Sequence, residues 1–449
     1  MTSSVQNSNF SPDPMLNHQI ADWHSLDNQE SPVVSDRSAL TIALLPWGDL
    51  FEDHFDKIGV SFETFRKEFT GSYQFGYIDA LRLAGVRTVL FYVSARVSTT
   101  LRFTHAPTGS TVCVLPASRI HRTVRNITRC PGLKTLAAYL ATPVGLLARE
   151  LRREGCDAIL CQEYEYARFD ACVLLGQLMR LPVFATFQGG DKRLSRLEYP
   201  LRSLALRACT GLIVATQTEL HRVRTCYKVP PNKLARIFNP VDVATWGATD
   251  RNQARAALDI PIDASVVVWH GRVEIERKGL DVLLDAWERI CCERPEKDLR
   301  LLLVGTGSNA SELRDRITNM RLRGVLRVDE FVNDRTAIQR YLSAADVYTL
   351  PSRHEGFPVA PVEAMACGLP VVAADAPGVP DILELGEASG GLVVPRGDAT
   401  ALALALGRLL DDKAWGHELG KRGRRRAEEC FSLLAIGEQL RDFLLGQKR

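Results

Sequence analysis

Val347-Tyr-Thr-Leu-Pro-Ser-Arg-His-Glu355-Gly-Phe-Pro-Val-Ala-Pro-Val-Glu363-Ala-Met-Ala-Cys-Gly368-Leu-Pro-Val-Val-Ala-Ala374 reads as one strand–loop–helix–strand unit. The apolar runs Val347 to Leu350 and Pro370 to Ala374 are short and unbroken, the pattern of strands covered on both faces. Pro361 suits a first helical turn, where its missing N–H goes unused. Gly368 suits the helix end. Glu355 then lies in the loop at a strand's carboxyl end, and Glu363 near a helix N-terminus. Complementing the helix dipole, by about 0.3 to 1 kcal/mol, accounts for Glu363 but not for a carboxylate in the loop.

The same alternation extends in both directions. Towards the N-terminus of this half, strands are expected at Val266–Trp269, Leu299–Val304 and Leu326–Val328, and beyond the quoted unit at Gly391–Val394. Helices are expected near 279–293, 311–320, 336–343, 360–367 and 399–411. Earlier still, strands fall at Thr41–Leu45, Thr88–Val93, Thr111–Leu115, Ala158–Cys161, Pro182–Thr186, Gly211–Ala215 and Ala235–Phe238. Helices are expected over 76–85, 134–154, 167–179 and 194–208. The pattern breaks once, at Asn239-Pro-Val-Asp-Val-Ala-Thr-Trp246. Buried strands alternating with helices imply α/β architecture with parallel sheets, and the break implies two doubly wound domains. Residues 39–240 form the first and 241–432 the second; 1–38, rich in Ser, Asn, Gln, Asp and Pro, read as a polar disordered tail.

Bulk properties agree. A chain of 449 residues is long enough for two cores, and 46% hydrophobic with 24% charged residues suits a globular protein. The formal charge of +3 gives no reason to expect nucleic acid. Eleven scattered cysteines with no C-x-x-C pair read as reduced thiols. No apolar run nears the roughly 18 residues that span a bilayer, and the first residues lack an export signal's basic start and apolar core, so a cytoplasmic protein is expected.

In doubly wound sheets ligands sit beyond the strands' carboxyl ends, and between two such domains the cleft is the expected site. After Trp269 comes His270-Gly-Arg-Val-Glu-Ile-Glu-Arg-Lys278-Gly. Arg272 and Lys278 beside a helix N-terminus suit a diphosphate, although alone they also read as solvated loop charges. Leu303-Val-Gly-Thr-Gly307 lacks the third glycine of a dinucleotide fingerprint, and a tight strand–helix turn suffices for it. No DxD-like metal motif stands out.

Taken together, Gly271-Arg272, Lys278-Gly-Leu-Asp-Val-Leu-Leu284, Leu303 to Gly307, Ser352 to Val359, Glu363 to Val372, Pro377-Gly-Val-Pro-Asp381 and Gly391 to Asp398 resemble, in order, the donor domain of the retaining family-4 glycosyltransferases, whose fold is called GT-B. The resemblance implies two Rossmann-like domains facing across a cleft, and transfer of a sugar from a nucleotide-sugar with retention. Arg272, Lys278 and Glu355 would be catalytic, the two cations on the diphosphate and Glu355 on the sugar hydroxyls. Main-chain amides from Gly356 through Phe357 to Val359 would touch sugar or phosphate, Glu363 would accept from the ribose, and Asp329 to Val332 would lie near the base. No metal and no cofactor beyond the nucleotide-sugar co-substrate are expected. The acceptor would be a sugar, a lipid-linked or another small molecule held by the first domain.

That first domain matches less closely. Thr186-Phe-Gln-Gly-Gly-Asp191 resembles a family segment in which His commonly stands at the Gln188 position; Gln188 can bind a hydroxyl but carries no proton charge. The glycine loop after the first strand is replaced by an insertion starting at Pro46-Trp-Gly48, so Gly48 or Gly71 approaches the phosphates. Pro358 removes an N–H where the family often has Gly. Arg119, Arg122, Arg125, Arg129, Lys134, Arg149, Arg152 and Arg153 suggest either a solvated basic face or a peripheral membrane contact. The run Arg424 to Arg426 reads as a solvated helix face; Gly420 to Ser432 also resembles the family, in which the last helix crosses back onto the first domain, so residues 433–449 would belong with that domain. Two other readings stay open: a GT-B nucleotide-sugar epimerase, and a non-catalytic nucleotide-sugar sensor or scaffold.

Overall fold

In the computed structural model, which describes residues 40–446 except 72, 122–136, 190–193, 196–197, 248 and 333, the alternating runs become two sheets. The first comprises β1 Thr41–Leu45, β2 Arg87–Ser94, β3 Leu101–Thr104, β4 Thr111–Pro116, β5 Ala158–Gln162, β6 Val183–Thr186, β7 Gly211–Ile213 and β8 Leu234–Ala235. The second comprises β9 Ser265–His270, β10 Leu299–Val304, β11 Val325–Val328, β12 Val347–Leu350, β13 Val371–Ala374 and β14 Gly391–Val394. Their orders are β3-β4-β2-β1-β5-β6-β7-β8 and β11-β10-β9-β12-β13-β14. All pairs are parallel except β3–β4. The central strands are buried along their whole length, as covering helices on both faces require. Without the edge strands β3 and β8, both sheets have the doubly wound order, which reverses between β1 and β5 and between β9 and β12.

Several local expectations are corrected. Strand β3, Leu-Arg-Phe-Thr, was missed because it is an antiparallel edge strand with no buried run. Among the described residues of the helix expected over 134–154, 137–141 are helical and a second helix covers Val144–Arg153; Pro143, which lacks the N–H that would continue the ladder, divides them. The insertion after β1 folds into short helices, Glu52–Phe55 and Phe62–Lys67, which bury Phe51, Phe55, Phe62 and Phe65 in the first core. Arg424 and Arg426 are not a solvated face. Arg424 donates to the carbonyls of Val243 and Ala366, and Arg426 to that of Ile382 at 2.6 Å, so two helix C-termini are capped by guanidinium groups.

Three helices carry the argument further: α1 Tyr73–Leu83, α2 Ala360–Ala366 and the last, α3 Leu433–Gly446. Ile436, Leu440 and Leu444 of α3 pack with Phe75, Ile78 and Leu81 in the core of the first sheet. Close approach to α1 depends on Gly437, where a Cβ would run into the Ala80 carbonyl. Gly437→Val therefore lifts α3 from α1; we expect about 1 to 3 kcal/mol of destabilisation in denaturant unfolding, with early proteolysis after residue 432.

Candidate functional site

A cleft of about 1030 Å³ lies between the domains, lined by loops that leave β1, β9, β10 and β11 and by the N-terminal parts of α1 and α2. It thus sits at the carboxyl ends of strands, beside the order reversal of each sheet.

On the second-domain side, β9 runs out at His270, and Gly271 turns the chain to Arg272. Arg272 lines the cleft with a side chain 64% exposed; its contact is with Glu274 Oε1, at 3.4 Å. The Gly305–Gly307 turn after β10 fits beneath this loop, since a Cβ on Gly305 would strike the Gly271 carbonyl and one on Gly307 that of Val273. The glycines thus have a packing reason, and Gly305 to Ser308 also line the cleft. Of Asp329 to Val332, the segment expected near the base, Glu330, Phe331 and Val332 line the cleft, while Asp329 is paired with Arg314 and Arg327.

Lys278 ends a short helix, Ile275–Lys278, and the next turn is pressed against the loop after β12. Arg353 N–H donates to the Arg277 carbonyl at 2.9 Å, and the Arg353 guanidinium grips Asp281 by two bonds of 2.7 Å. This clamp brings together groups 77 residues apart: Lys278 Nζ donates to Glu355 Oε1 at 2.7 Å. Ser352 Oγ donates to the same oxygen at 2.6 Å. Glu355 is buried, and its Oε2 accepts nothing from the described residues. These groups sit behind the cleft lining rather than on it.

Glu363 and Val359, at the start of α2, line the cleft directly. His270 Nε2 donates to Glu363 Oε2 at 2.9 Å, with the imidazole about nine-tenths buried. A carboxylate only accepts, so Nε2 carries a proton; among the described residues Nδ1 has no partner. His270 was not singled out from the sequence, where it stands first after the expected strand Val266–Trp269; its place beyond a carboxyl end was the available signal.

Phe357 is placed differently from its neighbours. Its ring stacks on Phe238 at 5.2 Å and packs on Phe431, so only its main chain is available to a ligand. Gly356 meets Gly189 of the first domain main chain to main chain, with no room for a Cβ on either. The domains also touch where Asp381 Oδ1 accepts from Gln217 N–H at 2.9 Å and from Arg236 at 3.0 Å, and where Arg335 reaches the Thr70 carbonyl at 3.3 Å.

Gln188 is next to the Gly189 contact. Its main-chain N–H donates to Glu163 Oε2, its side-chain Nε2 donates to Thr186 Oγ1, and its side-chain Oε1 accepts from Asn239 Nδ2, all at 3.0 Å. Burial, reinforced by Glu165, pushes the Glu163 carboxyl up to about 8. Gly71, but not Gly48, is on the cleft wall. Of the basic run, Arg122, Arg125, Arg129 and Lys134 lie outside the described residues. Arg149, Arg152 and Arg153 are exposed, while Glu150 and Glu154 turn inward to Arg102 and Arg87. Among the described residues no helix is long and apolar enough to cross a membrane, and no three His, Cys, Asp or Glu side chains are grouped to hold a metal ion.

Comparison with known proteins bears on this arrangement. Residues 78–245 match Glycosyltransferase Family 4, and residues 264–412 match Glycosyl transferases group 1. The chain is similar to a D-inositol 3-phosphate glycosyltransferase from Jonesia denitrificans, 30% identical over 51% of this chain and 57% of that protein, so it spans little more than half of that relative's length. It is also similar to one from Corynebacterium efficiens, 29% identical over 76% of this chain and 83% of that one. In fold it is similar to Anabaena HepE in complex with UDP, with a TM-score of 0.68 at 18% identity, covering 91% of this chain and 100% of that one. With two parallel-sheet domains, the site between them and both halves matched, the chain belongs to the family-4 glycosyltransferases of GT-B fold.

Proposed function

We propose that the protein transfers a hexosyl group from a nucleoside-diphosphate sugar to an acceptor hydroxyl with retention of anomeric configuration. The observation that carries this is the pair of contacts Lys278–Glu355 and His270–Glu363 at the β9/β12 reversal of the second sheet, the first directly behind the cleft and the second on its wall with Arg272. UDP in the similar HepE structure and the glycosyltransferase names of the relatives support the substrate class.

Lys278 has three N–H donors, one of which goes to Glu355 and two of which remain for phosphate oxygens. Arg272 adds a planar fork from the cleft wall. As the anomeric C–O bond breaks, positive charge grows on the sugar and negative charge on the diphosphate. Cations held in advance favour that separation over the ground state. The acceptor oxygen forms the new bond on the face the diphosphate leaves, and its proton passes to the departing phosphate. Glu355 serves as an acceptor for sugar hydroxyls through Oε2, since Oε1 is already taken by Lys278 and Ser352. Glu363, oriented by His270, serves the ribose. Neither carboxylate is placed as a glycosidase acid or nucleophile.

Three outcomes check the proposal. Lys278→Ala, Arg272→Ala and Glu355→Ala each lower kcat/KM by about 10²- to 10³-fold, EDTA leaves turnover unchanged, and NMR finds the donor's anomeric configuration in the product. Variants within a few fold of wild type, or an inverted product, contradict the assignment. Next, His270→Ala and Glu363→Ala both weaken nucleotide binding in calorimetry. Because they act as a unit, the double variant is no weaker than Glu363→Ala alone, with a coupling of about 1 to 2 kcal/mol. Finally, the basic run makes a peripheral contact with anionic lipid: Arg149, Arg152 and Arg153 changed to Glu reduce co-sedimentation with phosphatidylglycerol vesicles, and unchanged sedimentation excludes the contact.

A further inference from the structure

The first-domain wall of the cleft is built largely by chain that follows β1 and replaces the family's glycine loop. Trp47, His54, Ile58, Thr70, Gly71 and Tyr73 are on it. The Trp47 indole is only partly buried and is held by two edge-to-face contacts, with His54 and with Tyr166, each with ring centroids 5.4 Å apart and at 73° and 75°. Two such contacts fix the orientation of a large flat apolar group at the cleft edge, where a core would instead enclose it. Also lining the cleft is Tyr73, whose hydroxyl is buried and has no hydrogen-bond partner among the described residues. A buried hydroxyl left unpaired is unfavourable, and on a cleft wall the missing partner is one a ligand can supply. Burial also holds the Tyr73 phenol well above its ordinary range, so it stays a donor as well as an acceptor.

We propose that Trp47 and Tyr73 form the acceptor subsite, and that it takes an uncharged six-membered polyol ring, a pyranose or a cyclitol. The C–H face of the ring lies on the indole, whose π-face is electron-rich, and a ring hydroxyl pairs with Tyr73 Oη. Among the described residues that α1 and the insertion give to this wall, the one carboxylate is Asp79, which is paired with Arg82, and none is Lys or Arg. The wall therefore favours a neutral ring over a phosphorylated one. The subsite rests on the transferase reading and specifies its acceptor.

Saturation-transfer NMR of the full chain with UDP present tests it, using methyl α-glucopyranoside, methyl α-mannopyranoside and myo-inositol as probes, with inositol 3-phosphate alongside. At least one neutral ring should take saturation at its C–H protons. Trp47→Ala should weaken that ring's binding about tenfold, Tyr73→Phe less, and Trp47→Phe least. UDP should raise the Tm of all three variants as it does that of wild type, which shows that they fold and that the donor side is intact. Saturation of none of the neutral rings, binding of inositol 3-phosphate alone, or neutral-ring binding unchanged in Trp47→Ala overturns the subsite. Failure of UDP to stabilise the wild-type protein would instead count against the donor reading.

Discussion

The main-chain contact between Gly189 and Gly356 sets how closely the two domains approach. Neither position has space for a Cβ, so the loop after β6 and the loop after β12 meet main chain to main chain. Everything around the site is arranged about that point. On one side Gln188 is tied to Glu163, Thr186 and Asn239; on the other Glu355 is tied to Ser352 and Lys278. Asp381 and Arg335 add hydrogen bonds between the domains away from it. A larger residue at either glycine would push the two loops apart, and with them the groups proposed to hold donor and acceptor.

The second domain holds its charges in pairs. Lys278 with Glu355, and His270 with Glu363, each join a strand-end loop to the neighbouring loop or helix, so the sheet order itself positions them. Pairing restrains the side chains while leaving capacity unused: two N–H groups on Lys278, one oxygen on Glu355 and one ring nitrogen on His270. That combination of rigidity and spare hydrogen bonding is what binding a polar donor requires. The first domain differs in kind. Its wall is aromatic, with Trp47 braced by His54 and Tyr166, and so suits a ring better than a charge.

Much of the fold was legible because parallel strands buried on both faces leave continuous apolar runs such as Leu299–Val304 and Val347–Leu350. Strand β3, at an edge and with no buried residue, leaves none. The break at Pro143 was legible in principle, but the apolar spacing on both sides of it matched one long helix. In the site, Arg272 and Glu363 could be placed by their positions after strands. The pairing of Lys278 with Glu355 could not, because it depends on the Arg353–Asp281 clamp, which brings distant segments together. His270 was hidden as an unremarked loop residue next to Arg272, and Arg424 and Arg426 by looking like surface charge. In each case the partner is remote in sequence, and local spacing says nothing of it.

The most direct test of the central claim is a crystal structure with whichever of UDP, GDP or ADP stabilises the protein most. The account predicts the diphosphate within hydrogen-bond distance of Arg272 and Lys278 and the ribose on Glu363, with His270 still paired to that carboxylate. A nucleotide bound elsewhere, or turned so that its phosphates avoid both cations, would contradict it.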